Sequence, residues 1–216
     1  MKAARILFAS LAALAIWALA ACSAIAPDKP VRAMLYDFGP GTTGASAPVV
    51  PTAAQAPLVL ADIESTAALE STALLYRLAY SNAYELHPYS QARWSAPPPQ
   101  LVRQRLRQML GRDRAVLDPT DAAVLARVGG TMPRVLRIDL EEFSHVFDSP
   151  TQSFGVVRLR VTLTDNTPAG EKLVGQREFS RREAAPAADA AGGVRAITAA
   201  TDGIAQDIAA WIAQVR

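Results

Sequence analysis

Apolar residues along this chain follow three rhythms, and each predicts a different element. Ile6 to Ala21 is an unbroken apolar run, interrupted only by Ser10. Strict alternation comes later. Val157, Leu159, Val161 and Leu163 alternate with Arg158, Arg160, Thr162 and Thr164, the period-two pattern of a strand with one buried face. Val135 to Asp148 alternates as well, with Leu136, Ile138 and Leu140 on one parity and Phe143, His145 and Phe147 on the other. The slip at Glu141-Glu142 predicts a β-bulge within one long strand. Turn-forming residues at Ser149–Gln152 and Asp165–Gly170 lead into a third strand, Leu173–Arg181. Three strands joined by short turns predict an antiparallel meander with one solvated face.

The third rhythm is helical. Leu101, Val102, Leu106, Met109 and Leu110 share one face over Gln100–Leu110, behind a Pro97-Pro98-Pro99 start and ahead of a Gly111 cap. Val194, Ile197, Ile204, Ile208, Trp211, Ile212 and Val215 lay a stripe along a long C-terminal helix, preceded by an Ala/Pro/Asp/Gly loop from Ala184 to Gly193. Further strands are predicted at Leu58–Ile63 and Ala73–Ala79, with Glu64–Ser71 between them read as a loop in preference to a helix turn. Ser81-Asn82 turns the chain into Tyr84–Trp94, the hairpin partner, in which Pro88 requires an edge or a bulge. Ala115–Leu117 is a short strand, and Thr120 or Asp121 caps a short helix through Val128, before Gly129-Gly130. Tyr36 and Phe38 alternate around Asp37 until Gly39-Pro40 stops them, predicting an edge strand over 34–40, while Gly41–Pro57 reads as a loop. Two amphipathic helices and about six strands, four or more of them antiparallel, predict an α+β fold: a mainly antiparallel sheet with both helices packed on one face.

The first apolar run has a different meaning. It follows Lys2 and Arg5 and ends in Leu19-Ala20-Ala21-Cys22, the charged end, apolar stretch and small residues of a secretory signal. It falls short of the roughly 20 apolar residues a spanning helix needs. We therefore read residues 1–21 as a signal peptide and 22–57 as a Pro/Ala-rich linker containing the short strand. Residues 58–216 form the domain that this strand joins. The chain has 22 basic and 20 acidic residues, and loss of Lys2 and Arg5 brings the two into balance. No net basic field points to nucleic acid. Cys22 is the only cysteine, so disulfides cannot stabilise the domain, and half of the residues are apolar to do so instead.

A search for chemistry finds little. His87 and His145 are the only histidines. His145 with Asp148 nearby suggests a catalytic pair, but no nucleophile or ligand spacing accompanies it, and it reads as a strand histidine on a half-buried face. Asp139, Glu141 and Glu142 read as a solvated edge or bulge, since adjacent strand residues point to opposite faces. Gly129-Gly130 lacks the strand–GxGxxG–helix context of a dinucleotide site. Arg103, Arg105, Arg107, Arg112 and Arg114 read as a solvated helix face, with a partner or lipid-headgroup contact as the sharper alternative. No cofactor or metal is expected, and no enzyme signature emerges.

The Leu-Ala-Ala-Cys end resembles the lipobox of bacterial lipoproteins, whose cysteine is acylated and becomes the new N-terminus. In order after it come Tyr36-Asp37-Phe38-Gly39-Pro40, Leu74-Leu75-Tyr76-Arg77, Arg93-Trp94-Ser95-Ala96-Pro97-Pro98, the Leu/Arg-rich helix, Leu136-Arg137-Ile138-Asp139-Leu140-Glu141-Glu142-Phe143 and a final helix with Trp211. This order resembles the ABC-type transport auxiliary lipoproteins, the family that includes the paraquat-inducible protein C lipoprotein. The resemblance implies a non-catalytic periplasmic component, lipidated at Cys22, with Ser23 favouring the outer membrane. It implies an MCE (mammalian cell entry) substrate-binding protein and an inner-membrane ABC permease and ATPase as partners, moving phospholipids or other hydrophobic molecules. It is compatible with a homo-oligomer. Tyr76, Arg77, Tyr84, Arg93 and Trp94 are the candidate partner-facing residues, with ordinary sheet packing as the competing reading. The rivals are a structural or assembly lipoprotein, its domain resembling the N-terminal domain of the TolB translocation protein, and a lipid-anchored hydrolase around His145.

Overall fold

The computed structural model describes residues 32–40, 55–122, 133–167 and 170–215. The apolar leader, Cys22, the 41–54 segment, the Gly129-Gly130 pair and all but the 119–122 turn of the helix expected through Val128 lie outside these residues. In chain order the strands are β1 (Met34–Tyr36), β2 (Gln55–Ser65), β3 (Ala73–Leu78), β4 (Ala83–Trp94), β5 (Arg114–Leu117), β6 (Arg134–Phe147), β7 (Ser153–Thr167) and β8 (Gly170–Ala184). The two long helices are α1 (Pro98–Leu110) and α2 (Ala190–Gln214).

β6 organises the sheet. One of its edges pairs antiparallel with β7 along nearly its whole length, from Val135↔Thr164 to Phe147↔Ser153. Its other edge is shared by two strands placed end to end, both parallel to it. β2 takes the first half, from Leu58↔Arg134 to Ser65↔Leu140, and β3 takes the second, from Tyr76↔His145 to Leu78↔Phe147. Between them the chain leaves the sheet in a 3-10 turn, Ala67–Leu69, which buries Leu69 in the core. The predicted Glu64–Ser71 loop thus holds the end of β2 and this turn. β5 extends the β2 side in parallel, β4 and then β1 extend the β3 side, and β8 closes the far edge on β7.

The α+β class stands, but the sheet is mixed rather than mainly antiparallel. Among the described residues, four strand pairings are parallel and three antiparallel. The sequence reading found the antiparallel ones because short turns announce them. Parallel neighbours are joined by long crossovers, and a crossover leaves no local mark of which strands it brings together.

The hydrophobic rhythm explains the packing. The bulge falls where the alternation slips, since Leu140 opposes Leu159 while Glu142 opposes Arg158, leaving Glu141 as the extra residue. The offset returns Phe143, His145 and Phe147 to the face that Leu136, Ile138 and Leu140 bury, and all six are buried. Val157, Leu159, Val161 and Leu163 of β7 are fully buried on the same core. Removing a Leu, Val or Phe side chain from water contributes about 1.5–3 kcal/mol. α2 lies over β6, β7 and β8, and α1 packs on α2 and β2.

α2 starts at Ala190, four residues ahead of the predicted Val194, because Asp189 caps it by accepting a 2.6 Å hydrogen bond from Gly192 N–H. The glycines that made this stretch look like a loop serve close packing. A Cβ on Gly193 would stand 2.5 Å from His145 Nδ1, and one on Gly192 would stand 2.0 Å from Ala187 O. Pro88 behaves as expected. The β3–β4 register slips between Ala73↔Arg93 and Leu75↔Pro88, and β1 covers β4 only at Ala92–Trp94, so Pro88 sits at a bulge on an open edge.

Candidate functional site

The five residues expected at a partner surface all lie on β3 and β4, but their surroundings differ. Trp94 is 1% exposed, with its ring 5.3 Å from Phe143 in a tilted contact and 5.8 Å from Phe38 in an edge contact. Tyr36 of β1 pairs in register with Trp94, and Ser95 N–H donates to Tyr36 C=O at 2.7 Å, so this cluster holds β1 to the sheet. Tyr76 is half-buried, 5.2 Å from the His87 ring, 4.7 Å from Tyr89 and 6.0 Å from Phe147. Arg77 donates to both carboxylate oxygens of Glu142, at 3.2 and 3.3 Å, and to Ala83 C=O. These three side chains hold the sheet together. Tyr84 is 96% exposed at the β3–β4 turn, and Arg93 is exposed beside Leu35 of β1. Only these two of the five are exposed.

The arginine series on α1 is not a free basic face. Asp118 accepts from Arg103 at 2.5 Å and from Arg107 at 2.9 Å, and these two hydrogen bonds hold its carboxyl below the usual carboxylate range. Arg105 points inward and forms a bidentate pair with Asp202 of α2, at 2.5 and 2.6 Å; that hydrogen bonding raises its pKa further against the opposing effect of burial. Arg114 donates to Gln55 across the β2–β5 pairing. Sequence spacing could not show these acids, because Asp202 lies on another element and Asp118 follows a strand.

His145 is fully buried, and Asp148 turns away to pair with Arg182. Its actual partner is Tyr89, whose Oη lies 2.8 Å from Nδ1. Burial lowers the His145 pKa to about 4, against a modest upward pull from Asp189. Burial, then the neighbouring Tyr76 and Asp189, push the Tyr89 phenol well above its ordinary range. The pair is therefore neutral and sits in an aromatic stack, with Phe147 4.4 Å from the His145 ring. Tyr89 escaped the sequence reading because it reaches β6 across the intervening β3. Two of the acids on β6 are also engaged: Glu141 takes Arg158 and Arg160, and Glu142 takes Arg77 and Ser144 Oγ. Among the described residues, no cluster of three or more His, Cys, Asp or Glu is placed to hold a metal ion, and no helix is long and apolar enough to cross a membrane.

A groove of about 620 Å³ runs between α1 and the end of β2 and is lined by Asp62, Glu70, Gln100, Arg103, Gln104 and Arg107 among others. It is open and lined by polar and charged groups, several of them already paired with one another, as in the 3.3 Å contact of Arg103 with Asp62. Nothing in it combines a nucleophile, a base and an anion-stabilising group, the arrangement that covalent chemistry requires.

Comparison with solved structures supports the architecture. Protein XCC0632 from Xanthomonas campestris superposes with a TM-score of 0.62 at 16% identity, over 73% of this chain and 83% of that one. The crystal structure of a second, uncharacterized protein gives 0.59 at 13% identity, over 84% of this chain and 99% of its own. At such identities the likeness is one of fold. No curated protein matches the chain by sequence. A family model described as the ABC-type transport auxiliary lipoprotein component matches residues 37–209, from the end of β1 nearly to the end of α2. The chain belongs to the ABC-type transport auxiliary lipoprotein family, and is thus an auxiliary lipoprotein component of an ABC-type transport system.

Proposed function

We propose that this protein is acylated at Cys22, held on the periplasmic face of the outer membrane, and serves an MCE-type ABC system that moves phospholipids or other hydrophobic molecules between the two membranes. It acts by docking to the MCE-domain protein and, through it, to the inner-membrane permease and ATPase. The observation that carries this reading is the family match over 37–209, which takes in almost all of the described fold. Leu19-Ala20-Ala21-Cys22 supplies the acylation signal, and Ser23 supports the outer rather than the inner membrane. One acyl chain holds a protein only marginally, while two or more together anchor it stably. Residues 22–57 serve as the linker, apart from the short strand that joins the docking domain of residues 58–216.

Affinity purification of the full-length chain from detergent-solubilised envelopes tests the reading. Recovery of an MCE-domain protein together with a permease and an ATPase is the expected result. Recovery of outer-membrane assembly proteins in their place would instead establish a structural lipoprotein without a transport role.

A further inference from the structure

The sheet ends in strands of unequal length. β1 has three residues and β5 four, while β8 runs for fifteen and, among the described residues, pairs on one side only, with β7. A register shift leaves Val174 as an extra residue, so the regular part of this edge is Gln176–Ala184. Ala185 N–H donates to Ser153 C=O at 2.9 Å, and antiparallel hydrogen bonding alternates from there. Through the β7–β8 register, the main-chain groups of Glu183, Arg181, Phe179 and Arg177 turn to β7. The N–H and C=O groups of Gln176, Glu178, Ser180, Arg182 and Ala184 therefore point outward, and all five residues are exposed. Long edges of this kind are usually blunted by charge or covered. β8 carries charges of both signs, and their order is its own complement. A second, antiparallel copy with Ser180 facing Ser180 sets Glu178 against Arg182 and Arg177 against Glu183, each twice.

We infer that β8 is a self-recognition edge, through which two copies of this chain pair antiparallel about a two-fold axis at Ser180. Main-chain geometry and side-chain charge select the same register. This axis brings outward-pointing groups together over residues 176–184 and closes about ten inter-strand hydrogen bonds. Moving it one residue opposes Arg177 to Arg181 or Arg181 to itself, and moving it two opposes Glu178 or Arg182 to itself. Like charges directly opposite destabilise a strand pair. An axis between two residues sets outward-pointing groups against groups already bonded to β7. Among the described residues, neither Arg177 nor Glu178 forms an ion pair within the chain. Arg182 is held by Asp148 and lies over the Phe154 ring, but its guanidinium has five donors and can take Glu178 as well. The two copies form one continuous sheet, with both α2 helices on the same face. Pairing through β8 does not depend on acylation of Cys22.

Disulfide capture tests the register. Envelopes carrying the full-length Ser180→Cys chain are oxidised with copper phenanthroline, and the chain is purified in detergent. Facing Cα atoms in such a pair lie about 5.5 Å apart, inside the range that a disulfide spans. The expected product is a cross-linked dimer for Ser180→Cys but not for Glu178→Cys, whose counterpart lies four residues, about 13 Å, along the strand. The wild-type chain, with Cys22 as its only cysteine, gives the background. Charge reversal in Ser180→Cys chains tests the pairing itself. Glu178→Arg and Arg182→Glu each oppose like charges in their own dimers, and each is expected to lower capture about tenfold. Co-expression of the two restores opposite charges at every pair and is expected to recover capture, which also shows that both variants fold. Equal capture at positions 178 and 180, capture indifferent to the reversals, or no recovery on co-expression would overturn the inference. So would capture at position 180 of another envelope protein in place of a second copy, which would make β8 a docking edge for a different partner.

Discussion

His145 sits in the core without its charge. Desolvation favours the neutral ring, Tyr89 is bonded to Nδ1, and the Gly193 backbone lies so close that no side chain fits between. The consequence for stability has a definite sign. An unfolded histidine takes up a proton near pH 6.5, while the folded one resists protonation until about 4. Stability therefore stands at its full value above about pH 6.5 and falls as the pH drops toward 4, by at most about 1.4 kcal/mol per pH unit. Asp118 contributes in a lower window, because its depressed carboxyl loses its stabilising effect only below the ordinary carboxylate range. Urea unfolding between pH 7 and pH 4.5 reads the histidine. The His145→Phe/Tyr89→Phe variant, which removes both polar partners together, is expected to flatten the profile in that interval. An unchanged slope would assign the acid sensitivity elsewhere.

Between elements, the bond to test is Arg105–Asp202, which ties α1 to α2 above the sheet. Arg105 is 8% exposed and Asp202 28%. Asp202→Ala would leave a buried guanidinium with Gln108 Oε1 as its remaining side-chain acceptor. The expected loss is about 3 kcal/mol, the lower end for breaking a buried pair, because Asp202 is partly wet. Arg105→Met/Asp202→Leu removes both charges and is expected to lose much less. Denaturant midpoints for the two variants decide it, and equal losses would mean that the pair contributes through shape rather than charge. The same elements show why an amphipathic pattern is an incomplete guide: Arg105 interrupts the polar back of α1 by pointing inward, and only the presence of α2 allows it.

For the whole molecule, the weak joint is β1, three residues paired to β4 and held by Tyr36, Phe38 and Trp94. This joint links the proposed lipid tether to the domain. Trp94→Ala is expected to cost about 3–5 kcal/mol, the range for truncating a buried aromatic. It should also release the amides of residues 34–36 to hydrogen exchange before the β6–β7–β8 meander opens. Unchanged stability and protection would return Trp94 to the partner-facing set. A loss confined to β1 would show that the tether can detach while the core persists.

Sequence alone determined whatever a local rhythm can encode: the α+β class, the β6–β7–β8 meander, the bulge at Glu141 and the α1 span. Periodicity and turn chemistry act between residues near each other in the chain, so these features are legible there. Tertiary structure alone decided that β2 and β3 share one edge of β6, that α2 begins at Ala190 behind its Asp189 cap, and that Tyr89 rather than Asp148 meets His145. It also decided that the arginines of α1 are paired and that Trp94 is core while Tyr84 is surface. Each of these depends on which distant segments meet, and a contact between residues far apart in the chain leaves no periodic trace in either segment.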